Sequence, residues 1–273
     1  MRPKVSRAPT VLAAAAIAAQ IAWPLTSGNA RVINTSIVVA LFAAASVLHA
    51  ADRRGLRWAI GYTLIALAVG LGVEVLGTST GFPFSEYAYT DALSPQLLGV
   101  PALIPVAWTM MAYPAWLVGR RLAGGRIAAS VVVGAFALAS WDVFLDPQMV
   151  NEGYWVWLSD QPGLPGIEYI PLVNYAGWLL VSLVLIGAIT LLPTARNVEP
   201  WSWTAEGVPA LLYGWTWLGG IVANAIFLGR PAVAAWGGIL MGIVAVPYLF
   251  GVLRDGLRTT ASAARATTGD RTI

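Results

Sequence analysis

Eight long apolar stretches follow one another along the 273-residue chain, and they constrain its fold more than any other feature. A helix crosses the apolar core of a bilayer with roughly 17 to 25 mostly apolar residues, and it satisfies its own backbone hydrogen bonds there. The sequence therefore predicts an all-α, polytopic membrane bundle of about eight transmembrane helices. The stretches run roughly over Val11–Leu25, Ile33–Ala50, Trp58–Leu76, Pro101–Val118, Ile127–Leu145, Ile170–Leu192, Val208–Leu228 and Ala232–Leu253.

Composition agrees with this fold class, because 58% of the residues are hydrophobic, only 11% are charged, and the mean hydropathy is +0.71. A soluble domain needs more polar surface than this. We expect residues 1–257 to form a single transmembrane domain and residues 258–273 to form a disordered cytoplasmic tail. The first stretch is short and rich in alanine, so a signal sequence ending near Asn29 and Ala30 is an alternative there.

The placement of basic residues predicts the orientation. Of the 16 Lys and Arg residues, 14 flank one set of helix ends, and only Arg31 and Arg230 flank the other set. Lys and Arg concentrate in short cytoplasmic loops, so we expect a multi-pass protein of the cell membrane with both termini in the cytoplasm. The two longest connections, 77–100 and 146–169, contain no Lys or Arg and are therefore expected to face outward.

Several kinds of chemistry are excluded by residues that the chain lacks. It has no cysteine and one histidine, His49, so disulfides, thiolate nucleophiles and Cys/His zinc sites are ruled out. No glycine-rich dinucleotide fingerprint follows a predicted strand, and the basic residues are too dispersed to bind nucleic acid. We expect no cofactor, no metal and no nucleic-acid partner, and a surface role for His49, which lies beside a basic loop.

Polar residues near the predicted outer ends of the helices are the candidates for a functional site. Ionisable residues inside membrane spans are costly and are functional candidates by default. Asp142 and Asp146 are four residues apart and share one helix face. With this topology they lie on the same side of the bilayer, and at similar depth, as Glu74, Asn174 and Asn224.

Carboxyl groups in apolar surroundings favour the protonated form, and a second carboxyl nearby strengthens this tendency. One such group can therefore donate a proton while an ionised partner accepts one from water. Proton donation and water addition together make the hydration of an alkene. Carboxylates and the faces of Trp and Tyr rings can stabilise the intervening carbocation, and an apolar polyene reaches such a site from the lipid phase.

These residues occur in an order and spacing that resemble the membrane carotenoid hydratase family, of the bisanhydrobacterioruberin hydratase and γ-carotene 1′-hydroxylase type. The resemblance covers about two fifths of the chain. The residues that carry it are Gly70, Glu74, Gly77, Thr80–Phe84, Tyr87, Tyr89, Gly99–Pro101, Ile104–Trp108, Met110–Met111, Tyr113–Pro114, Asp142, Asp146–Pro147, Gly153–Trp157 and Pro171–Trp178. One departure is Ser85, which stands where the family pattern leads us to expect a glycine.

The resemblance implies the addition of water to the terminal double bond of an acyclic carotenoid, which gives a tertiary alcohol without a redox cofactor. Glu74 or Asp142 is then the proton donor, Asp146 helps to activate water, and Asn174 orients one of them. Other enzymes of carotenoid biosynthesis are expected partners. The residues expected to line the substrate pocket are Tyr87, Tyr89, Trp108, Trp155 and Trp178.

Three alternatives stay open at this point. Asp142-x-x-x-Asp146 also matches half of the acidic motif of an Mg²⁺-dependent intramembrane prenyltransferase, although such an enzyme needs a second acidic motif and cationic residues for the diphosphate. A non-catalytic protein that binds carotenoid or lipid would use the aromatic residues for packing alone. A transporter with a carboxylate proton relay is the third alternative, without a sequence repeat to support it.

Overall fold

The computed structural model describes residues 6–193 and 203–269, and within the second range it describes the side chains of residues 205–258. These parts contain eight long helices. Their apolar sequences and lengths account for them, because an uninterrupted helix leaves no backbone group unsatisfied in lipid. They are α1 (Ala8–Ala22), α2 (Gly28–Arg54), α3 (Leu56–Thr80), α4 (Leu103–Leu122), α5 (Ile127–Asn151), α6 (Leu172–Thr190), α7 (Trp203–Val222) and α8 (Pro231–Gly269).

Within the described residues, seven helical segments are long and apolar enough to cross a membrane, which makes this a polytopic membrane bundle as predicted. Of the eight long helices, α4 is the exception. Every residue from Ala107 to Gly119 is buried inside the protein, so α4 lies at the centre of the bundle rather than against lipid. Its Trp, Tyr and Pro residues suit packing against other helices, and its 20 residues are still long enough to span about 30 Å.

The two ends of the bundle differ in charge. At one end, called the basic end, the last turn of α4 meets α7 and α8 through ion pairs of Arg121 with Glu206 and Asp255. The long connections 81–102 and 152–171 form the other end, called the loop end, where they pair with each other. The prediction that the basic end is cytoplasmic stays a prediction. Four of the basic residues on which it rests, Arg2, Lys4, Arg196 and Arg271, lie outside the described residues.

Short strands organise the loop end, and the sequence did not predict them. The segment Tyr87–Tyr89 pairs antiparallel with Trp155–Trp157, so that Tyr87 lies opposite Trp157 and Tyr89 opposite Trp155. Two further pairs brace the same layer. The strands are β1 (Tyr87–Tyr89), β2 (Gln96–Leu97), β3 (Val100–Pro101), β4 (Trp155–Trp157), β5 (Gly163–Leu164) and β6 (Ile167–Pro171).

The turn after α3 aims the first of these strands back over the bundle. Gly81 ends α3 in the left-handed conformation, with φ of +74°, and its N–H donates to the carbonyl of Gly77 at 2.8 Å. Ser85, four residues later, has φ of +96°. Such a backbone favours glycine, which explains why the family pattern leads us to expect a glycine there.

Helices α1, α7 and α8 complete the bundle. Helix α1 packs on α2 through alanines, including the fully buried Ala13 and Ala16, and it continues as a short 3₁₀ turn over Trp23–Leu25. Helix α7 ends in a π-helical turn over Ala223–Phe227. Helix α8 is described to Gly269, residues 270–273 lie outside the described residues, and the disorder of the tail stays a prediction.

Candidate active site

A cavity of about 190 Å³ lies inside the loop-end half of the bundle. One end of it is surrounded by α3, α4, α5 and α6 and covered by strands β1 and β4. Of the predicted site residues, all except Asp142 and Asn224 line this cavity. Those lining residues are Glu74, Tyr87, Tyr89, Trp108, Asp146, Trp155, Asn174 and Trp178.

Glu74 is buried and accepts three hydrogen bonds. The hydroxyl groups of Tyr87 and Tyr89 donate to Oε2 at 2.6 and 2.7 Å, and the indole Nε1 of Trp108 donates to Oε1 at 3.1 Å. Three donors aimed at one carboxyl group are satisfied by its ionised form, which only accepts. The arrangement therefore holds the Glu74 carboxyl group in a fixed position at the cavity wall.

Two glycines on α3 make room for these donors. A Cβ at Gly70 would lie 2.9 Å from the ring of Trp108, and a Cβ at Gly77 would lie 2.7 Å from the hydroxyl of Tyr87. No real Cβ tolerates such contacts without displacing the ring. The spacing Gly70-x-x-x-Glu74-x-x-Gly77 is thus explained by the two side chains that must reach Glu74 from either side.

Asp142 and Asp146 form a second acidic group on α5. The amide Nδ2 of Asn174 on α6 donates to Oδ2 of Asp142 at 2.9 Å and to Oδ2 of Asp146 at 2.5 Å. One amide thus holds two buried carboxyl groups side by side, and such a pair favours the state in which one of them is protonated. Only Asp146 lines the cavity, and Asp142, which is fully buried, lies behind it.

Aromatic rings form the rest of the wall. Trp108 and Trp178 stack with their ring centroids 4.1 Å apart and nearly parallel, and Trp141 meets Trp178 edge-on at 5.9 Å. Trp155 lines the same cavity as Asp146. Trp157, which sequence reasoning missed, packs on Tyr87 at 5.2 Å and also lines the cavity. Its signal was present in the Trp-Val-Trp alternation of β4, whose two indoles share one face.

The tyrosines that cover the site remain protonated. Burial raises the pKa of the Tyr87 and Tyr89 hydroxyls well above the usual value, and the carboxylate of Glu74 adds to the rise. They therefore act as hydrogen-bond donors to Glu74 across the range of pH in which a cell works. No Lys or Arg is found among the described residues that line the cavity.

One sequence-based expectation is wrong, and one candidate residue lies apart from the cavity. His49 is buried rather than at the surface, and its Nδ1 lies 3.0 Å from the hydroxyl of Tyr113. Asn224 lies at the loop end but does not line the cavity, because the π-helical turn directs its Nδ2 to the carbonyl of Gly220 at 2.9 Å. The other predicted polar residues, Glu74, Asp142, Asp146 and Asn174, do come together.

The prediction that no metal is bound stays untested. Within residues 6–193 and 203–269, no group of three or more His, Cys, Asp or Glu side chains has an arrangement that could hold a metal ion. The donors that surround the three carboxyl groups are instead Tyr, Trp and Asn side chains.

A multi-pass helical membrane protein with a buried acidic site in an aromatic cavity is the class that this fold and site define. The model of the carotenoid biosynthesis protein family matches residues 34–245, and the chain belongs to that family. It is 33% identical over 168 residues to the bisanhydrobacterioruberin hydratase of Haloarcula japonica. That match covers 60% of this chain and 54% of the relative, so the chain spans about half the length of the curated relative. No solved structure matches the chain.

Proposed function

We propose that this protein is an enzyme, a carotenoid hydratase that adds water to the terminal carbon–carbon double bond of an acyclic carotenoid. The observation that carries the proposal is that two carboxyl groups, Glu74 and Asp146, line an apolar, aromatic cavity whose described lining contains no cation, with Asp142 buried directly behind Asp146. The family places the chain in carotenoid biosynthesis, and the curated relative is named as a hydratase.

The proton comes from the pair of Asp142 and Asp146, because two buried carboxyl groups held side by side by one amide favour the state in which one is protonated. Asp146 is the member of the pair that lines the cavity, so it delivers the proton to the less substituted carbon of the double bond. The more substituted carbon of the double bond then carries the positive charge. Asp142 acts through Asp146 and Asn174, because its carboxyl group is fully buried behind them.

The charge of the intermediate is matched by Glu74 and by the aromatic rings. A carboxylate held by three donors needs no rearrangement when the cation forms, and the indole faces of Trp108 and Trp178 add attraction for positive charge. Water adds to the cation and loses a proton to the Asp142–Asp146 pair. One water is consumed, one tertiary alcohol is formed, and the carboxyl pair regains its starting state.

The experiment is chromatography with mass spectrometry on a host that accumulates an acyclic carotenoid, with and without this protein. We expect a gain of one water per modified end with the wild-type protein, and loss of that product with Glu74→Gln. Unchanged pigment masses in the presence of intact, membrane-inserted protein, across several acyclic carotenoids, would contradict hydration and favour a non-catalytic carotenoid-binding protein.

The Mg²⁺-dependent prenyltransferase alternative makes a different prediction. It requires product formation to stop when EDTA removes Mg²⁺ and to return when Mg²⁺ is added, with a gain of a prenyl group rather than of water. A diphosphate substrate also needs cationic partners, and the described lining of the cavity offers Tyr, Trp and Asn instead. We therefore expect EDTA to leave hydration unchanged.

A further inference from the structure

The cavity has two unlike ends. Around the carboxyl groups its lining residues are buried, including Glu74, Asp146 and Trp108. The cavity continues past α2 to the other side of the bundle, where its lining comes from the end of α1 and from α7. The lining residues there are half-buried, unlike the buried residues around the carboxyl groups. They are Gln20, Pro24, Trp215, Thr216 and Gly219.

The α7 side of this end lies well inside an apolar segment, while Gln20 and Pro24 lie toward the loop end of the segment Ala8–Leu25. Thr216 and Gly219 lie near the middle of the apolar segment Ala205–Phe227. The neighbouring side chains that face away from the bundle are apolar and exposed, among them Ile21 at 58% and Leu218 at 51%. Such a surface is the one that a membrane protein presents to lipid tails.

We infer that the cavity opens sideways into the bilayer between α1 and α7, and that the tail of the substrate lies through this lateral opening while its end group meets the carboxyl groups. The lateral opening is defined by Gln20, Pro24, Trp215, Thr216 and Gly219. This inference rests on the proposed function, whose substrate it describes further: a long, linear, apolar chain of which only one end is enclosed.

The size of the cavity supports this division of the substrate. A forty-carbon carotenoid is about as long as the core of a bilayer is thick, roughly 30 Å. A cavity of about 190 Å³ takes only its end group. The remaining chain stays in surroundings as apolar as the lipid from which it came, so no part of it has to enter water during binding or release. The far end of the chain is then free to vary.

Small residues keep the α7 side of the passage open. Gly219 and Gly220 both line the cavity, and a Cβ at Gly220 would lie 3.1 Å from the ring of Phe144. Thr216 uses its hydroxyl within its own helix, donating to the carbonyl of Leu212 at 2.9 Å. A large side chain at Thr216 therefore narrows the passage without removing a bond between helices.

The test narrows the lateral opening by adding an indole ring on each of its two sides, with Thr216→Trp on α7 and Gln20→Trp on α1. The matched controls are Leu218→Trp and Ile21→Trp, which add the same ring on the lipid-facing sides of the same two helices. Each variant is assayed in membranes with a forty-carbon acyclic carotenoid and with a short acyclic terpene that carries the same end group. The thermal midpoint of each purified variant reports its folding.

We expect the two filled variants to lose at least tenfold in turnover of the long substrate and to lose only a few-fold with the short one, while both controls resemble the wild-type protein. Folded Thr216→Trp and Gln20→Trp variants that hydrate the long substrate at the wild-type rate would overturn the lateral opening. If a Trp variant fails to fold, the Phe variant at that position is assessed by the same criteria. A wild-type protein that hydrates neither substrate contradicts the proposed function instead.

Discussion

Helix α4 runs between two buried glutamates, Glu74 and Glu206, whose surroundings differ. Near its start, Trp108 donates to Glu74 at 3.1 Å. At its last turn, Arg121 pairs with Glu206 at 2.8 Å and with Asp255 at 2.6 Å. Both Glu74 and Glu206 are almost completely buried, but only Glu206 has a cation beside it.

This difference separates a structural carboxyl from a candidate catalytic one. A carboxylate buried for structure needs a cationic partner to offset its lost hydration, and Arg121 supplies that partner at the basic end. At the loop end, within the described part of the chain, the three carboxyl groups have only neutral donors beside them, and two of them, Glu74 and Asp146, line an apolar cavity. A cation that forms on the substrate can therefore take the place of the missing cationic side chain. Buried carboxyl groups without a cationic partner, beside such a cavity, are typical of a reactive site.

The aromatic residues of the two regions differ in the same way. At the basic end the rings fill space, with Trp58 and Trp116 at 4.9 Å and Tyr62 and Tyr113 at 5.6 Å between centroids. At the loop end the rings border space, because Trp157 and the other indoles around the carboxyl groups line the cavity. Aromatic content alone, which is high at both ends, does not identify the site.

The largest expected effect separates Asp146 from Asp142. Asp146→Asn removes the proton donor at the cavity wall, so we expect turnover to fall by about a hundredfold or more, while Asp142→Asn costs about tenfold because Asp146 keeps its position. Product formation per amount of folded protein, measured by chromatography, checks this. Asp91→Asn, which changes an exposed carboxyl group in the connection 81–102 at the same loop end, is the control. Equal losses for Asp142→Asn and Asp146→Asn would show that the two cannot be assigned different roles.

Arg121→Met tests the structural carboxyl group at the basic end, Glu206. It leaves Glu206 buried without its cation, so we expect the free energy of unfolding to fall by about 2 kcal/mol or more. The protein that remains folded should turn over at close to the wild-type rate, since the basic end holds no reacting group. Thermal midpoints and activity per folded protein are the two readouts. A large loss of turnover in folded Arg121→Met would break the distinction between the two ends.

Tyr87→Phe removes one of the three donors to Glu74 while keeping the ring. We expect turnover to fall by about tenfold, because a weaker hold on the carboxylate places it less precisely beside the cation. The thermal midpoint should change little. Tyr169→Phe removes a hydroxyl that bonds Asn151 outside the cavity and serves as the matched control. Equal activity of Tyr87→Phe and Tyr169→Phe would mean that the hydroxyl of Tyr87 does not support catalysis.

The smallest expected effect concerns Ser85, whose φ of +96° strains any residue with a Cβ. Ser85→Gly should raise the free energy of unfolding by about 1 kcal/mol and leave turnover unchanged. The thermal midpoint in detergent measures it. Ser94→Gly, in the same connection but without a positive φ, should be neutral or destabilising. A Ser85→Gly protein that is less stable than the wild type would contradict this explanation of the glycine expected from the family pattern.

Much of the fold follows from the sequence because the bilayer imposes it. A spanning helix needs a long apolar run, and seven of the eight predicted spans have one within the described residues. The fourth is recognisable by length but not by hydropathy, since Ala107–Gly119 packs against protein on all sides. The strands were not predicted, because three-residue segments such as Tyr87–Tyr89 carry too little periodicity to be detected.

The candidate site was predictable only in part. The four-residue spacing of Asp142 and Asp146 places both on one face, and topology brings Glu74 and Asn174 to the same depth. That spacing could not show which of the two aspartates lines the cavity, because the difference depends on how α5 is rotated against α6. The contribution of α1 and α7 to the cavity was also missed, since Gln20 and Thr216 look like ordinary small or polar residues within apolar runs.

The most direct test of the central claim follows the oxygen atom. Membranes that contain the protein are incubated with an acyclic carotenoid in ¹⁸O-labelled water under nitrogen, without added cofactor, and the product is analysed by mass spectrometry. Hydration predicts one labelled oxygen in each new hydroxyl group, formed in the wild-type protein and not in Asp146→Asn. A product that forms only in air, or whose oxygen is unlabelled, would contradict the account.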